Sequence, residues 1–262
     1  MSNADVLVEL DDDVLRVIIN RPEKRNPLSR PVLAAIAEAF RAHRDRDDIR
    51  LALVTAAGTK SFAAGGDLRE VEAIRGVEAS GQFSDESYAA LDEIRRFPLP
   101  VIAALNGDAL GGGAELAVAC DIRLMAAHAR IGFIQGRINI STSWGGGVDL
   151  MRLVGHARAL SLLSRSDVID GAEAVAIGLA DAVAGAEQDF AAFVDAFIAP
   201  MRRQAPRVLR GFKAVALAQR LGLPHAQCRA VEREHFVTSW VHDDHWTAAA
   251  KVLAPAREGT TA

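Results

Sequence analysis

Gly111, Gly112 and Gly113 run together just ahead of Glu115 in the apolar stretch "ALNGDALGGGAELAVACDIRL" (104–124). Glycines this dense weaken a helix or strand, so bare backbone must itself be needed there. A carboxylate among alanines and leucines is costly unless it has a partner or a task. A second glycine turn, "FAAGGDL" (62–68), also follows a β-like run and opens towards a helix that Asp67 can cap. N–H groups near Gly65 and Gly66 then sit at a helix start, where partial positive charge favours an anion. If the strands before the two turns are neighbours, one N–H from each turn can converge on a single oxygen. Such an oxyanion hole requires small residues, because a carbonyl must lie against backbone. Glu115 follows Gly112 by nearly one helical turn, a rise of about 4.5 Å. Its carboxylate is then placed to move a proton beside a polarised carbonyl.

Each feature also has a plain structural reading. A glycine turn suits any tight strand-to-helix connection, and an acid in a first helical turn answers the helix dipole. The two turns together with the apolar-flanked Glu115 are what point to a site. Neither turn has the spacing of a dinucleotide or phosphate loop: "GGDL" lacks GxGxxG and "GGGAE" has no P-loop lysine.

The elements that must position these residues alternate. "VLVEL" and "VLRVIIN" read as two strands around the acidic turn "DDD", followed by the loop "NRPEKRNPLS". Ser29 is placed to cap a helix whose buried face is Val32, Leu33, Ile36, Ala37 and Phe40. "LALVTA" (51–56) and "VIAALNG" (from 101) read as strands, each restarting a strand–glycine turn–helix unit. "LREVEAIR" reads as a helix and "GVEASGQFSDES" as a mobile loop of the kind that borders sites. "DIRLMAA" and "ARIGFI" read as strands. From residue 145 the chain reads as mostly helical, broken at Pro200, Pro206 and Pro224. The expected organisation is an α/β core over 1–200 carrying the site and a helical region over 201–262.

Composition narrows the class. The chain has 262 residues, 50% hydrophobic and 24% charged, with a net charge of −4, so no global charge draws it to nucleic acid or an anionic membrane. The alternating charges of "RAHRDRDDIR" read as a solvated helix end. No apolar run approaches the roughly 20 residues of a membrane helix, and no basic start precedes an apolar segment. Cys120 and Cys228 read as reduced thiols, Cys120 in the core, and the expected compartment is the cytoplasm. No Cys/His spacing suggests zinc. "WVHDDHW" (240–246) reads as a solvated or subunit-contact helix face rather than a metal site.

At "NRPEKRNPLS", "SFAAGGDL", "VIAALNGDALGGGAELAVACDIRLMA" and "GHARALSLL" with "AIGLAD", the chain resembles the crotonase, or enoyl-CoA hydratase/isomerase, superfamily. The pieces occur in order over nearly the whole chain. The resemblance implies a spiral of ββα repeats, C-terminal helices used in trimer formation, and a homotrimer or homohexamer. It implies acyl-CoA thioester substrates, with coenzyme A part of the substrate and no other cofactor. The oxyanion donors map onto the N–H groups of Gly66 and Gly112. Nucleotide and phosphate contacts map onto Lys24, Arg25, Ala64, Asp67, Leu68 and Arg69.

The sequence departs from the family's two-glutamate hydratases. Their first acid maps onto Glu115, but the second falls on Gln135, and an amide neither gives nor takes a proton near neutral pH. Gln135 is left to position substrate, water or Glu115. "GGGAELAVACDIRLM", "SWGG" and the tail "FVTSW…AAAKVLA" resemble the ethylmalonyl-CoA decarboxylase branch. Losing CO₂ from a 2-carboxyacyl thioester generates the enolate directly, so one oxyanion hole and one acid suffice. Decarboxylation is therefore the favoured reaction. Hydration or dehydration with a single glutamate, isomerisation, thioester hydrolysis and a non-catalytic CoA-binding scaffold are the alternatives. Trp144 is expected over the acyl pocket or in the core. Arg137 is a candidate for a substrate carboxylate or an ordinary surface arginine.

Overall fold

Strands buried on both faces read as unbroken apolar runs, and the two such runs of this sequence lie in the middle of its main sheet. The computed structural model describes residues 5–253. β1 (Val6–Asp11) and β2 (Val14–Ile19) pair antiparallel around the acidic turn. In α1 (Arg30–His43), Ser29 Oγ accepts from the Val32 amide, and Val32, Leu33, Ile36, Ala37 and Phe40 are all buried as the spacing requires. Next come β3 (Leu51–Ala56), β4 (Ser61–Ala63), α2 (Leu68–Val71), α3 (Val77–Arg95), β5 (Val101–Leu105), β6 (Asp108–Leu110) and α4 (Gly112–Ala119). They are followed by β7 (Ile122–Met125), β8 (Arg130–Gly132), α5 (Gly146–Val154), α6 (His156–Arg165), β9 (Val168–Asp170), α7 (Gly171–Ala176), β10 (Ala182–Val183) and α8 (Phe190–Arg202).

Among the described residues, one sheet has the order β1-β2-β3-β5-β7-β10 and a second the order β4-β6-β8-β9. Before α2, α4 and α5 the chain therefore places one strand in each sheet: β3–β4–α2, β5–β6–α4 and β7–β8–α5. This is the α/β spiral of ββα repeats expected from the resemblance. Successive steps stack in parallel, with Ala52 opposite Val101 and Ala103 opposite Arg123 in the main sheet. In the small sheet, Ser61 lies opposite Asp108 and Ala109 opposite Ile131. The loops leaving β4, β6 and β8 are thereby brought to one edge. The core behind them joins Val14, Leu51, Leu53, Ile102, Ala104 and Leu124 to Val194 and Ile198 of α8.

The chain divides into two compact units after Pro206. The second unit is helical, with α9 (Pro206–Arg220), α10 (His225–Trp240) and α11 (Asp243–Leu253). No helix among the described residues is long and apolar enough to cross a membrane.

Three local expectations are overturned, and three short strands were not foreseen. Segment 76–87 is not a mobile loop but the start of α3, a helix of 19 residues. Its first turns bury nothing, so no apolar periodicity marks them; Ser87, Ala90, Leu91 and Ile94 alone carry the inward face, with Arg95. "LREVEAIR" forms only the single turn α2. Pro200 does not break the chain, because it lies in the last turn of α8, whereas Pro206 and Pro224 do stand at helix starts. Strands β6, β9 and β10, at three, three and two residues, are too short to show an alternation.

Gly113 sets how closely α4 approaches β4. A Cβ there would overlap the Ala63 carbonyl oxygen, a backbone atom that has no rotamer to yield. Gly113→Ala should therefore destabilise the protein by about 1–3 kcal/mol, seen as a lowered urea midpoint at unchanged m-value. An unaltered midpoint would contradict the packing described.

Candidate active site

The stacking of β4 on β6 and of β6 on β8 carries three chain turns to the same place. Gly65 and Gly111 each turn the chain with positive φ, at 106° and 55°, a region costly for side-chain-bearing residues. The turns touch: a Cβ built on Gly65 would lie 3.5 Å from the Gly112 nitrogen. The hydrogen bonds around them leave two amides over. The bridge between Leu28 and Gly66 uses the Gly65 carbonyl (2.8 Å from Leu28 N) and the Asp67 amide (3.2 Å from Leu28 O), but not the Gly66 N–H. The Gly111 amide donates to Gly132 O at 2.9 Å, while Gly112 is the first residue of α4 and its N–H is an orphan of the helix start. Neither the Gly66 nor the Gly112 N–H has a protein acceptor among the described residues.

Glu115 projects from the first turn of α4 and is 2% exposed. Its Oε2 accepts from the Trp144 and Gly146 amides, both at 2.9 Å, and its Oε1 accepts from Gln135 Nε2 at 2.9 Å. A Cβ on Gly146 would overlap Glu115 Cγ, so the third glycine run, "WGGG", is what lets the 143–146 segment close on the carboxylate. Burial pushes the Glu115 carboxyl above its ordinary value, and the hydrogen bonds from Gly146, Trp144 and Gln135 oppose that rise without cancelling it. Gln135 is itself buried, and its Oε1 has no partner among the described residues.

Gly66, Gly112, Glu115 and Gln135 all line one cavity of about 890 Å³, together with Lys24, Ala64, Asp67, Arg69 and Trp144. Lys24 and Arg69 are exposed, whereas Trp144 is 4% exposed. Asp67 does not act through its carboxylate as a helix cap; that group pairs with Arg21 Nη1 at 3.1 Å. Arg25 is not part of the lining. It takes the left-handed position (φ 64°) that ends the 3-10 turn Pro22–Lys24, and its carbonyl accepts from the Ala64 amide at 3.1 Å. The Leu68 side chain lies outside the described residues. Arg137 does line the cavity, from a 3-10 turn over Gln135–Ile138, with Nη2 donating to the Ser166 carbonyl at 2.6 Å. No group of three or more His, Cys, Asp or Glu able to hold a metal occurs among the described residues. Asp244 of "WVHDDHW" pairs with Arg207 and with His242.

Sequence reasoning missed the parts that hold the site together. Asn26 is buried and donates through Nδ2 to Ala57 O and Ser61 O, tying the 21–28 loop to β4. Phe83 of α3 meets the Trp144 ring edge-on, with centroids 6.0 Å apart, and Ser84 Oγ donates to Ser143 O at 3.1 Å. Arg95 forms a buried pair with Asp149 (2.8 Å) and donates to Trp144 O (2.7 Å). The glycines of "SWGGG" were the signal for this region, since they too mark a close backbone approach.

Comparison with known proteins agrees with this geometry. The enoyl-CoA hydratase/isomerase family model matches residues 9–251. A crotonyl-CoA hydratase of Syntrophomonas wolfei is 35% identical over 190 residues, 72% of this chain and 72% of the relative. An ethylmalonyl-CoA decarboxylase of Xenopus tropicalis is 29% identical over 235 residues, 89% of this chain and 78% of the relative. Some mitochondrial relatives are longer, and the matched stretch spans 51% of their length. The crystal structure of an enoyl-CoA hydratase from Bacillus anthracis superposes with a TM-score of 0.88 at 25% identity, covering 95% of this chain and 96% of that one.

Because the folded state holds the Glu115 proton more tightly than the unfolded chain, the stability this group contributes is present at low pH. It is lost as pH rises from the ordinary carboxyl value of 4.5 through the raised folded one. Glu115→Gln should therefore resist urea better than the native protein at pH 8, and the gap should close as the pH approaches 4.5. A gap of the opposite sign, or one that widens on acidification, would show that the carboxylate is not held at a cost.

Proposed function

We propose that this chain, which belongs to the enoyl-CoA hydratase/isomerase family, decarboxylates a short 2-carboxyacyl-CoA. The observation that carries the proposal is the Glu115–Gln135 contact: the side chain beside the one buried acid of the cavity is an amide, so among the buried lining residues Glu115 alone can transfer a proton. In the proposed reaction the bond between Cα and the substrate carboxylate breaks and CO₂ leaves. The electron pair moves onto Cα and the thioester oxygen, giving an enolate. The N–H groups of Gly66 and Gly112 stabilise that oxygen more strongly in the transition state than in the substrate, and one such donor is worth about 3 kcal/mol. Protonated Glu115 then delivers its proton to Cα, the thioester carbonyl reforms, and the carboxylate is reprotonated from solvent. A raised carboxyl suits this role, since it keeps the acid form present closer to neutral pH.

Gln135 holds Glu115 in place, and Lys24, Ala64, Asp67 and Arg69 at the cavity border take the coenzyme A portion. Coenzyme A belongs to the substrate, and the scheme uses no other cofactor. The similarity to an ethylmalonyl-CoA decarboxylase supports this reading. A second reading, hydration of an enoyl-CoA by Glu115 alone, is favoured by the similarity to a crotonyl-CoA hydratase. There Glu115 has to take the proton of the attacking water and also supply Cα. A homotrimer or homohexamer in the cytoplasm is the setting we propose. Trp240 and Trp246, partly exposed on the helical unit, support an assembly contact there.

The decisive measurement offers methylmalonyl-CoA, ethylmalonyl-CoA and crotonyl-CoA separately. CO₂ release from a malonyl-type thioester, with the crotonyl absorbance unchanged, is the expected outcome. Glu115→Gln should lower that rate at least about 10²-fold while leaving CoA binding close to native. Loss of the crotonyl absorbance without CO₂ release would favour hydration, and silence with all three would favour a scaffold.

A further inference from the structure

We propose that Trp144 is a fixed wall that restricts this site to short acyl groups, a selectivity that rests on the acyl-CoA reading above. The indole lies over both glycine turns. A Cβ built on Gly66 would stand 3.8 Å from Cζ2 and Cη2 of the ring, and one built on Gly112 would overlap Cζ3 and lie 2.6 Å from Cη2. An acyl chain whose thioester oxygen is held by the amides of those two residues must leave past this ring.

The backbone that carries the ring is held from several sides, and the ring itself is backed by Phe83. The Trp144 amide donates to Glu115 Oε2 at 2.9 Å, and its carbonyl accepts from Arg95 Nη2 at 2.7 Å. Arg95 is itself locked to Asp149 at 2.8 Å, both side chains being 6% exposed. Phe83 backs the indole edge-on, and Ser84 grips the preceding carbonyl of Ser143. Swinging the indole aside would strip Phe83 of its ring contact and disturb the backbone that holds Glu115. A chain long enough to need that movement gains nothing from its extra methylenes. In an open apolar channel each of them is worth about fourfold in affinity.

Calorimetric titration with saturated thioesters tests this, because propionyl-, butyryl-, hexanoyl- and octanoyl-CoA carry no carboxylate to lose and no double bond to hydrate. Native affinity is expected to level off at butyryl-CoA. Trp144→Ala is expected to bind octanoyl-CoA at least about tenfold more tightly than butyryl-CoA, with free CoA binding unchanged as the check on folding. If Trp144→Ala does not fold, Phe83→Ala removes the backing of the ring, along with a lining group of the cavity and the Arg30 contact, and should show a gain in the same direction. Native affinity climbing about fourfold per methylene through octanoyl-CoA would overturn the wall. So would a folded variant without any gain. Failure to release CO₂ from malonyl-type thioesters leaves this readout intact, whereas failure of every thioester to bind would overturn the acyl-CoA reading together with the wall.

Discussion

The site depends on one buried carboxylate held without a countercharge. Glu115 is bound by two backbone amides and one side-chain amide, all at 2.9 Å, and among the described residues no cation pairs with it. Dipoles of this kind fix the group's position without neutralising it. A lysine or arginine in the same place would lower its pKa and remove it from acid chemistry. Burial instead raises the carboxyl, and the hydrogen bonds oppose that only in part. The requirement propagates outwards. At position 146 the backbone lies so close to Glu115 that a Cβ would overlap its side chain, which explains Gly146, and the segment that carries those amides must be pinned, which is the work of Arg95, Asp149 and Ser84.

The fold satisfies that requirement through repetition. Each ββα step leaves the small sheet at the same edge, so turns 64–66, 111–112 and 134–135 come together although they are separated by more than 20 residues of chain at each step. Parallel register leaves little freedom in their relative height. The glycines then adjust the remaining ångströms: Gly113 lets α4 close on β4, and Gly112 leaves room for the indole. Packing density here is a functional variable, since one added methyl displaces an amide relative to the carboxylate.

Much of this was legible in the sequence because glycine and buried acid are chemically loud. "LALVTA" and "VIAAL" showed continuous burial, Ser29 and its apolar face showed α1, and the two glycine turns beside Glu115 showed where the strands must meet. The start of α3 was illegible for the opposite reason. Its outer face is solvated, Gly81 and three serines argue against a helix, and its value lies in Phe83 and Ser84, which act on a segment some 60 residues away. Buried pairs such as Arg95–Asp149 leave no local signal either, because each residue alone reads as surface charge. Arg25 shows a further limit: adjacency to Lys24 in sequence says nothing once a left-handed turn separates the two side chains.

Gln135 is the residue whose cost is hardest to explain by stability. Its Oε1 is buried without a partner among the described residues, a situation worth about 1–3 kcal/mol against the fold. An apolar side chain of similar size would avoid that penalty but would also release Glu115 Oε1. A glutamate would keep the volume and add a second titrating group beside the first, and two like charges at this distance cannot both ionise readily. The amide is thus the residue type that steadies Glu115 without sharing its proton. Trp144 covers the neighbouring surface, with its ring over Gly66 and Gly112. Both side chains act on the family scaffold through Glu115, one by holding its Oε1 and the other by carrying the amide that holds its Oε2.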